Sequence, residues 1–318
     1  MPPPDRTSYG PEQAMARDIE PLNRLFSEAF TDRYGRDGLV GVRVPHLSPL
    51  VWRYALEDAG PGAMLWRDAE GALTAFNMVH RSGTEGWMGP LAVRPDRQAD
   101  GLGSTMVRAG VEWLKGQGAR TIGLETMPRT VENIGFYSRL GFRPEHLTIT
   151  LVREVGRGGA AGELLSQSPH EVESRITECR QLTERLMPGV DYTRELVLTR
   201  ELRLGDTSMV REGSELIGFA LWHSTPLAAG RPRDELRVLK VAARDVDALA
   251  LVIAAVDGAA REERLRRVSL RCQTAYAEAY AMLIASGFRV HWTDLRMTWG
   301  EYREPIAEPG VVMSNWEI

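Results

Sequence analysis

Arg97-Gln98-Ala99-Asp100-Gly101-Leu102-Gly103-Ser104 is the stretch on which the reading of this chain turns. The apolar run before it, Trp87-Met88-Gly89-Pro90-Leu91-Ala92-Val93, reads as a strand. The run after it, from Ser104 to about Gln117, sets Met106, Val107, Val111 and Leu114 on one stripe and predicts a helix. Gly101 and Gly103 have no Cβ, so the main chain there can take unusual φ and lie directly against a ligand. The helix beyond opens with unpaired N–H groups and the positive end of its dipole. A glycine-rich turn running into a helix N-terminus is a ready seat for a pyrophosphate.

Spacing narrows the kind of phosphate ligand. A dinucleotide fingerprint needs G-x-G-x-x-G and a P-loop needs G-K-[ST], and neither stands here. What does stand here is Gln98-x-x-Gly101-x-Gly103 behind a strand ending Leu91-Ala92-Val93. Proline cannot donate to a strand ladder, so Gly89-Pro90 predicts a bulge or an unpaired edge in that strand. Downstream, Thr121-Ile122-Gly123-Leu124-Glu125 reads as a buried strand. A helix then carries Tyr137 four residues before Gly141-Phe142, and a last strand runs from Leu147 to Val152.

In this order and spacing, from about Val93 to Phe142, the motifs resemble the GNAT superfamily of N-acetyltransferases, whose signature reads Q/R-x-x-G-x-G/A. The resemblance implies that the loop Gln98, Ala99, Asp100, Gly101, Leu102, Gly103 and Ser104 holds the pyrophosphate of acetyl-CoA, the cosubstrate. It implies that Leu91, Ala92 and Val93 border a gap between splayed parallel strands that admits the pantetheine arm. Phe136 and Tyr137 complete the implied cofactor site, with Tyr137 as general acid to the departing thiolate. One position departs from the family pattern. Many members have Asn seven residues before the Tyr; here Thr130 stands there, and Asn133 lies one turn before Tyr137. Either Thr130 or Asn133 meets the pantetheine or the thiol. Glu125, at a strand end beside the expected cleft, is the candidate base; His80, Glu85 or a water relay are the alternatives. No metal is expected.

The rest of the chain fits a two-unit plan. Its 318 residues are 43% hydrophobic and 26% charged, with a formal net charge of -4. That composition is globular and gives no sign of a nucleic-acid or membrane-surface partner. Cys179 and Cys272 form no metal or disulfide pattern, which fits a reducing cytoplasm. Residues 1–12 read as a loose arm, followed by a strand over Gln13–Ala16. Helices are predicted from Asp18 to about Phe30 and from His46 to about Asp58, with a loop over Thr31–Pro45. A hairpin then turns at Asp68–Gly71. Gly156-Arg157-Gly158-Gly159-Ala160-Ala161-Gly162 reads as a flexible linker. Beyond it the plan repeats with a single helix through Ile176, Leu182 and Leu186, a hairpin of Ser208–Val210 with Leu216–Trp222, a strand Leu236–Val241, a helix from Val246 to about Glu262, a strand Val268–Cys272 and a helix around Tyr276–Ile284, and closes on Gly287-Phe288 and a strand from His291 to Trp299. In the repeat, Leu283 stands where Tyr137 stood. The counterpart loop Ala242-Ala243-Arg244-Asp245-Val246-Asp247 has no glycine and two aspartates, which would repel a pyrophosphate. The apolar tail Val311–Ile318 is expected to dock on the protein as an added strand.

These readings predict an α/β fold of two tandem GNAT-type units, each a central mixed sheet flanked by helices. Residues 1–155 are expected to be the acetyl-CoA-binding, catalytic unit. Residues 163–318 are expected to be a degenerate unit with a structural or acceptor-site role. The expected activity is transfer of acetyl from acetyl-CoA to a primary amine of a small molecule or peptide, by a cytoplasmic protein whose internal pseudo-dimer suits a monomer. Two other readings are an acyl-CoA sensor without turnover, and an enzyme using a longer acyl group or making a mycothiol-like product.

Overall fold

The computed structural model describes residues 7–156 and 162–316. The arm's first six residues and most of the expected linker lie outside the described residues. The first half runs β1 (Tyr9–Gln13), α1 (Ile19–Arg36), α2 (Pro49–Ala59), β2 (Ala63–Arg67), β3 (Leu73–Ser82), β4 (Glu85–Val93), α3 (Leu102–Gly116), β5 (Thr121–Thr126), α4 (Val131–Arg139) and β6 (Phe142–Glu154). The second half repeats it as β7 (Glu163–Leu164), α5 (Val172–Leu186), α6 (Thr193–Glu201), β8 (Gly205–Glu212), β9 (Glu215–His223), β10 (Glu235–Ala243), α7 (Val246–Glu262), β11 (Arg267–Gln273), α8 (Ala277–Ala285) and β12 (Arg289–Trp299), and adds β13 (Val311–Ser314).

Three elements differ from expectation near the N-terminus. The strand lies earlier, at Tyr9–Gln13, where Pro11 is tolerated because the strand is an exposed edge with a register shift between Tyr9 and Glu12. α1 runs six residues beyond Phe30, into what reads as loop. Pairs one turn apart, Arg36 with Asp32 at 2.8 Å and Arg33 with Asp37, support the extension. α2 begins at Pro49 rather than His46, with proline in the first turn, where its missing N–H costs nothing.

All of these strands join one sheet, in the order β1-β2-β3-β4-β5-β12-β6-β11-β10-β9-β8-β7, with β13 added on β10. The order is the same from either end once the halves are matched, and its centre is an exchange. β12, from the second half, pairs antiparallel with β5 of the first, and β6, from the first half, pairs antiparallel with β11 of the second. The side chains follow the exchange. Ile149 and Leu151 of β6 pack in the second half's core, and Met297 of β12 packs with Met106, Val111 and Phe142 in the first half's. The sequence expectation had each final strand closing its own half. Alternating apolar residues are equally suited to either neighbour, so periodicity could not tell the two apart.

The two halves also share a parallel pair that opens. β4 pairs with β5 only from Glu85 to Met88, against Thr121 to Leu124. β10 pairs with β11 only from Glu235 to Val238, against Arg267 to Leu270. Past those points the strands part. On β4 the parting coincides with the Gly89-Pro90 bulge, where the register against β3 slips between Asn77 and Val79. In the second half the opening is filled: β13 pairs antiparallel with β10, Lys240↔Ser314 through Ala243↔Val311. The docked tail strand expected from the sequence is thus present, and it sits in the second half's own slot.

Candidate functional site

The open slot of the first half leads into the glycine turn. Ala99 and Gly101 both have positive φ, 70° and 83°, and Gly101 is the residue from which α3 starts. Positive φ at Gly101 is free of Cβ strain, and Gly101, Gly103 and Ser104, where α3 begins, line the slot. A Cβ on Gly103 would lie 3.3 Å from Cζ of Phe136 and 3.9 Å from Cγ2 of Val93, so this position closes down on the slot's wall. Gln98 braces the turn: its Nε2 donates to the Val93 carbonyl at 3.2 Å, and its Oε1 accepts from Arg36 at 3.1 Å.

A cavity of about 390 Å³ occupies this region. Of the expected cosubstrate residues, Leu91, Ala92, Val93, Gln98, Ala99, Gly101, Gly103, Ser104, Asn133, Phe136 and Tyr137 line it. Asp100 and Leu102 belong to the turn but are not among the lining residues. Thr130 is buried at the start of α4, and its Oγ1 donates to Asp37 at 2.6 Å. Between the two alternatives left by the sequence, Asn133 is the one at the cavity.

A second cavity, about 280 Å³, adjoins the first. Phe30, Arg33, Leu91, Asn133 and Tyr137 line both, so Tyr137 stands at their junction. Its ring is buried against Phe136 and Phe142 at centroid distances of 5.1 and 6.0 Å. Burial pushes its phenol well above the ordinary range, so it keeps its proton at any neutral pH. The second cavity is built by both halves: Tyr34, Trp87 and Glu125 come from the first, and Arg271, Trp292, Asp294 and Trp316 from the second. None of those second-half residues was legible as part of this site, because only the strand exchange and the tail bring them here.

Glu125 lines this second cavity, but its carboxylate is fully engaged. Arg271 donates to Oε2 at 2.6 Å, Arg296 Nε lies 3.1 Å from Oε1, and Thr148 donates to Oε1 at 2.5 Å. Burial pushes its proton affinity up, but the two guanidiniums and Thr148 outweigh that and hold it below the usual range. A carboxylate so held is a weak base and a strong anchor for Arg271. The other two base candidates are elsewhere. His80 is buried, with Nδ1 2.7 Å from Asp58, and Glu85 accepts from Trp87 Nε1 at 2.9 Å. Neither lines either cavity.

The second half's counterpart is built differently. Asp245 caps α7, its Oδ1 accepting from the Ala248 amide at 2.7 Å, so a carboxylate already occupies the helix N-terminus. β13 fills the strand gap beside it.

Comparison with known proteins bears on the fold that positions this site. Residues 21–142 match the acetyltransferase (GNAT) family. A mycothiol acetyltransferase of Clavibacter michiganensis is 34% identical over 80 residues, 25% of this chain and 26% of that protein, so the likeness spans about a quarter of its length. Among solved structures, an acetyltransferase fold from Pyrococcus horikoshii superposes with a TM-score of 0.66 at 15% identity, covering 95% of this chain and 93% of that one. A tandem GNAT protein from the clavulanic acid biosynthesis pathway superposes with a TM-score of 0.57 at 14% identity, covering 92% and 98%. The fold seen here, two repeats of the same element order in one mixed sheet, is therefore that of the tandem GNAT structures, and residues 21–142 are the part that matches the GNAT acetyltransferase family.

Proposed function

We propose that this protein is an N-acyltransferase that moves the acetyl group of acetyl-CoA to a primary amine, with residues 1–155 supplying the thioester site and residues 163–318 supplying part of the acceptor pocket. One observation carries the proposal: Tyr137 and Asn133 line both a slot that ends at a glycine turn and helix N-terminus, and a separate polar-aromatic cavity. A two-substrate transfer needs that arrangement, with one chamber for each substrate and a proton donor where they meet. The partial likeness to a mycothiol acetyltransferase supports acetyl as the group moved.

In this reading the N–H groups at the start of α3 hold the pyrophosphate, and the pantetheine arm lies along the open edge of β4. Alternate residues of a strand aim their N–H groups to opposite sides. The open edge between Leu91 and Val93 therefore offers a main-chain donor to the thioester oxygen, where negative charge grows during attack. The amine nitrogen bonds to the carbonyl carbon, the C–S bond breaks, and the thiolate takes a proton through Tyr137. The proton lost by the new ammonium passes to water and balances the step. Burial disfavours charge on the departing sulfur as it does on the phenol, so their proton affinities rise together.

Replacing Tyr137 with Phe keeps the ring packing and removes the donor. The expected result is a fall in kcat of about 10²-fold or more, the usual range for general acid catalysis, with acetyl-CoA affinity unchanged. Thiol release with an amine panel measures the first and calorimetry the second. An unaltered kcat removes Tyr137 from the chemistry.

A further inference from the structure

At the mouth of the second cavity stand a carboxylate and two aromatic faces that the transfer chemistry leaves unused. Trp292 is 36% exposed, one of the few large apolar side chains left in solvent. Its ring lies 6.2 Å from that of Tyr34, and its Nε1 donates to Asp294 Oδ1 at 3.3 Å. Asp294 Oδ2 accepts from Arg271 at 2.6 Å. Arg271 begins a half-buried ladder: it also holds Glu125 at 2.6 Å, Glu125 meets Arg296 at 3.1 Å, and Arg296 meets Glu304 at 2.7 Å. Three carboxylates thus alternate with two guanidiniums, and the ladder's cavity end is the carboxylate of Asp294. The other guanidinium in the cavity wall, Arg33, is paired with Asp37 and with Glu132 at 3.0 Å.

We propose that Tyr34, Trp292 and Asp294 form a subsite for a second, non-reacting ammonium group, so that the acceptor is a small amine bearing two cationic centres. This rests on the reading of the second cavity as the acceptor chamber. Two aromatic faces and a carboxylate make the surroundings a desolvated cation prefers. The groups facing Asp294 support the assignment. Burial and the neighbouring charge of Glu125 push its proton affinity up, and Arg271 offsets this only in part. Burial, then the charge of Asp294, also pushes Tyr34 up, so the two lie within each other's field. An arriving cation relieves both. The reacting nitrogen then lies deeper, toward Tyr137, with the anchored one at the mouth.

The test is calorimetric titration of the CoA-loaded protein with a homologous series of α,ω-diaminoalkanes and of 1-aminoalkanes of matched length. The expected result is that the best diamine binds about tenfold or more tightly than its matched monoamine, as for a partly desolvated cation on a carboxylate and aromatic faces. Asp294→Asn is expected to abolish that preference, and Trp292→Leu to reduce it several-fold without touching the Arg271 pairs. If Asp294→Asn fails to fold by near-UV circular dichroism, Trp292→Leu carries the test alone. Equal affinities for both series, or a preference that survives the variant that folds, overturn the subsite. Thiol release from acetyl-CoA in the same solutions is read separately. Diamine preference without transfer to any amine would sink the acyl-transfer reading and keep the subsite; transfer without preference would do the reverse.

Discussion

At the scale of single residues, some positions hold and others exchange protons. Gly103 holds by lacking a Cβ, which would lie 3.3 Å from Cζ of Phe136 at the wall of the proposed cosubstrate slot. Gly103→Glu places an anion in the first turn of α3, where helix propensity and the dipole both favour it. These gains offset the 3.3 Å approach of the new Cβ to Phe136, so the fold is expected to be retained while acetyl-CoA affinity falls below detection by calorimetry, and unchanged affinity would refute the phosphate seat. Glu304 is a position that exchanges protons. Burial raises its proton affinity most, the charges of Glu85, Glu125 and Glu145 add to this, Arg296 opposes them, and the result is pushed up to about 8. Buried Glu195 is pushed up to about 7, by burial and by Asp58. Between the ordinary carboxylate range and these values the folded chain holds protons that the unfolded chain has released. Stability from these groups is therefore present in mild acid and is lost as pH rises toward 8. Glu125 and Asp58 are held low, so their contribution is present above the unfolded carboxylate range and is lost as pH falls below it. Glu304→Gln should flatten the fall in Tm from mildly acidic to mildly alkaline pH, and an unchanged slope would show that Glu304 does not titrate there.

At the scale of elements, the slots explain what the sequence could and could not disclose. The turn at Gln98–Ser104, the strand before it, α3 and the Tyr137 helix were all legible, because each is set by local chemistry: glycine, proline, and a period of one helical turn. So was the docked tail, from its apolar character. α6 was missed, because its Thr193–Glu201 face offers few apolar residues. The extra turns of α1 were missed because their support is ionic. Glu125 shows the limit most plainly: its place at a strand end was readable, but the two arginines that hold its charge lie 146 and 171 residues away in sequence. The same exchange hides Trp292 and Asp294. β13 gives this scale its own prediction. It meets β10 over Lys240–Ala243, the stretch corresponding to the β4 edge past its bulge, while Asp245 caps the adjoining helix. One slot is open and one is closed by the chain itself. Acetyl-CoA is expected to bind with a stoichiometry of one per chain, and a second calorimetric site of similar affinity would show that β13 yields to ligand.

At the scale of the whole molecule, the exchange of β6 and β12 makes the halves depend on each other. We propose the boundary between residues 155 and 163 as a division of function; it does not divide the packing. A fragment ending at residue 155 would keep β5 but lose β12, its neighbour, and with it Met297 from its core. It would also carry β6 with neither of its partners, β11 and β12, leaving Ile149 and Leu151 without the core they enter. Each large apolar side chain left exposed forfeits about 1.5–3 kcal/mol. Several such losses approach the whole net stability of a domain, about 5–15 kcal/mol. An unpaired central strand is also a template for association. The fragment 1–155 is therefore expected to be unfolded or aggregated, and the full chain to unfold in one cooperative transition. Met297→Ala tests the same coupling in the intact chain. It should cost about 2–5 kcal/mol, as other truncations of buried side chains do, and should shift denaturation followed by first-half and second-half probes together. A soluble, monomeric, cooperatively folded fragment 1–155, or two separated transitions in the full chain, would show that each half closes its own sheet in solution.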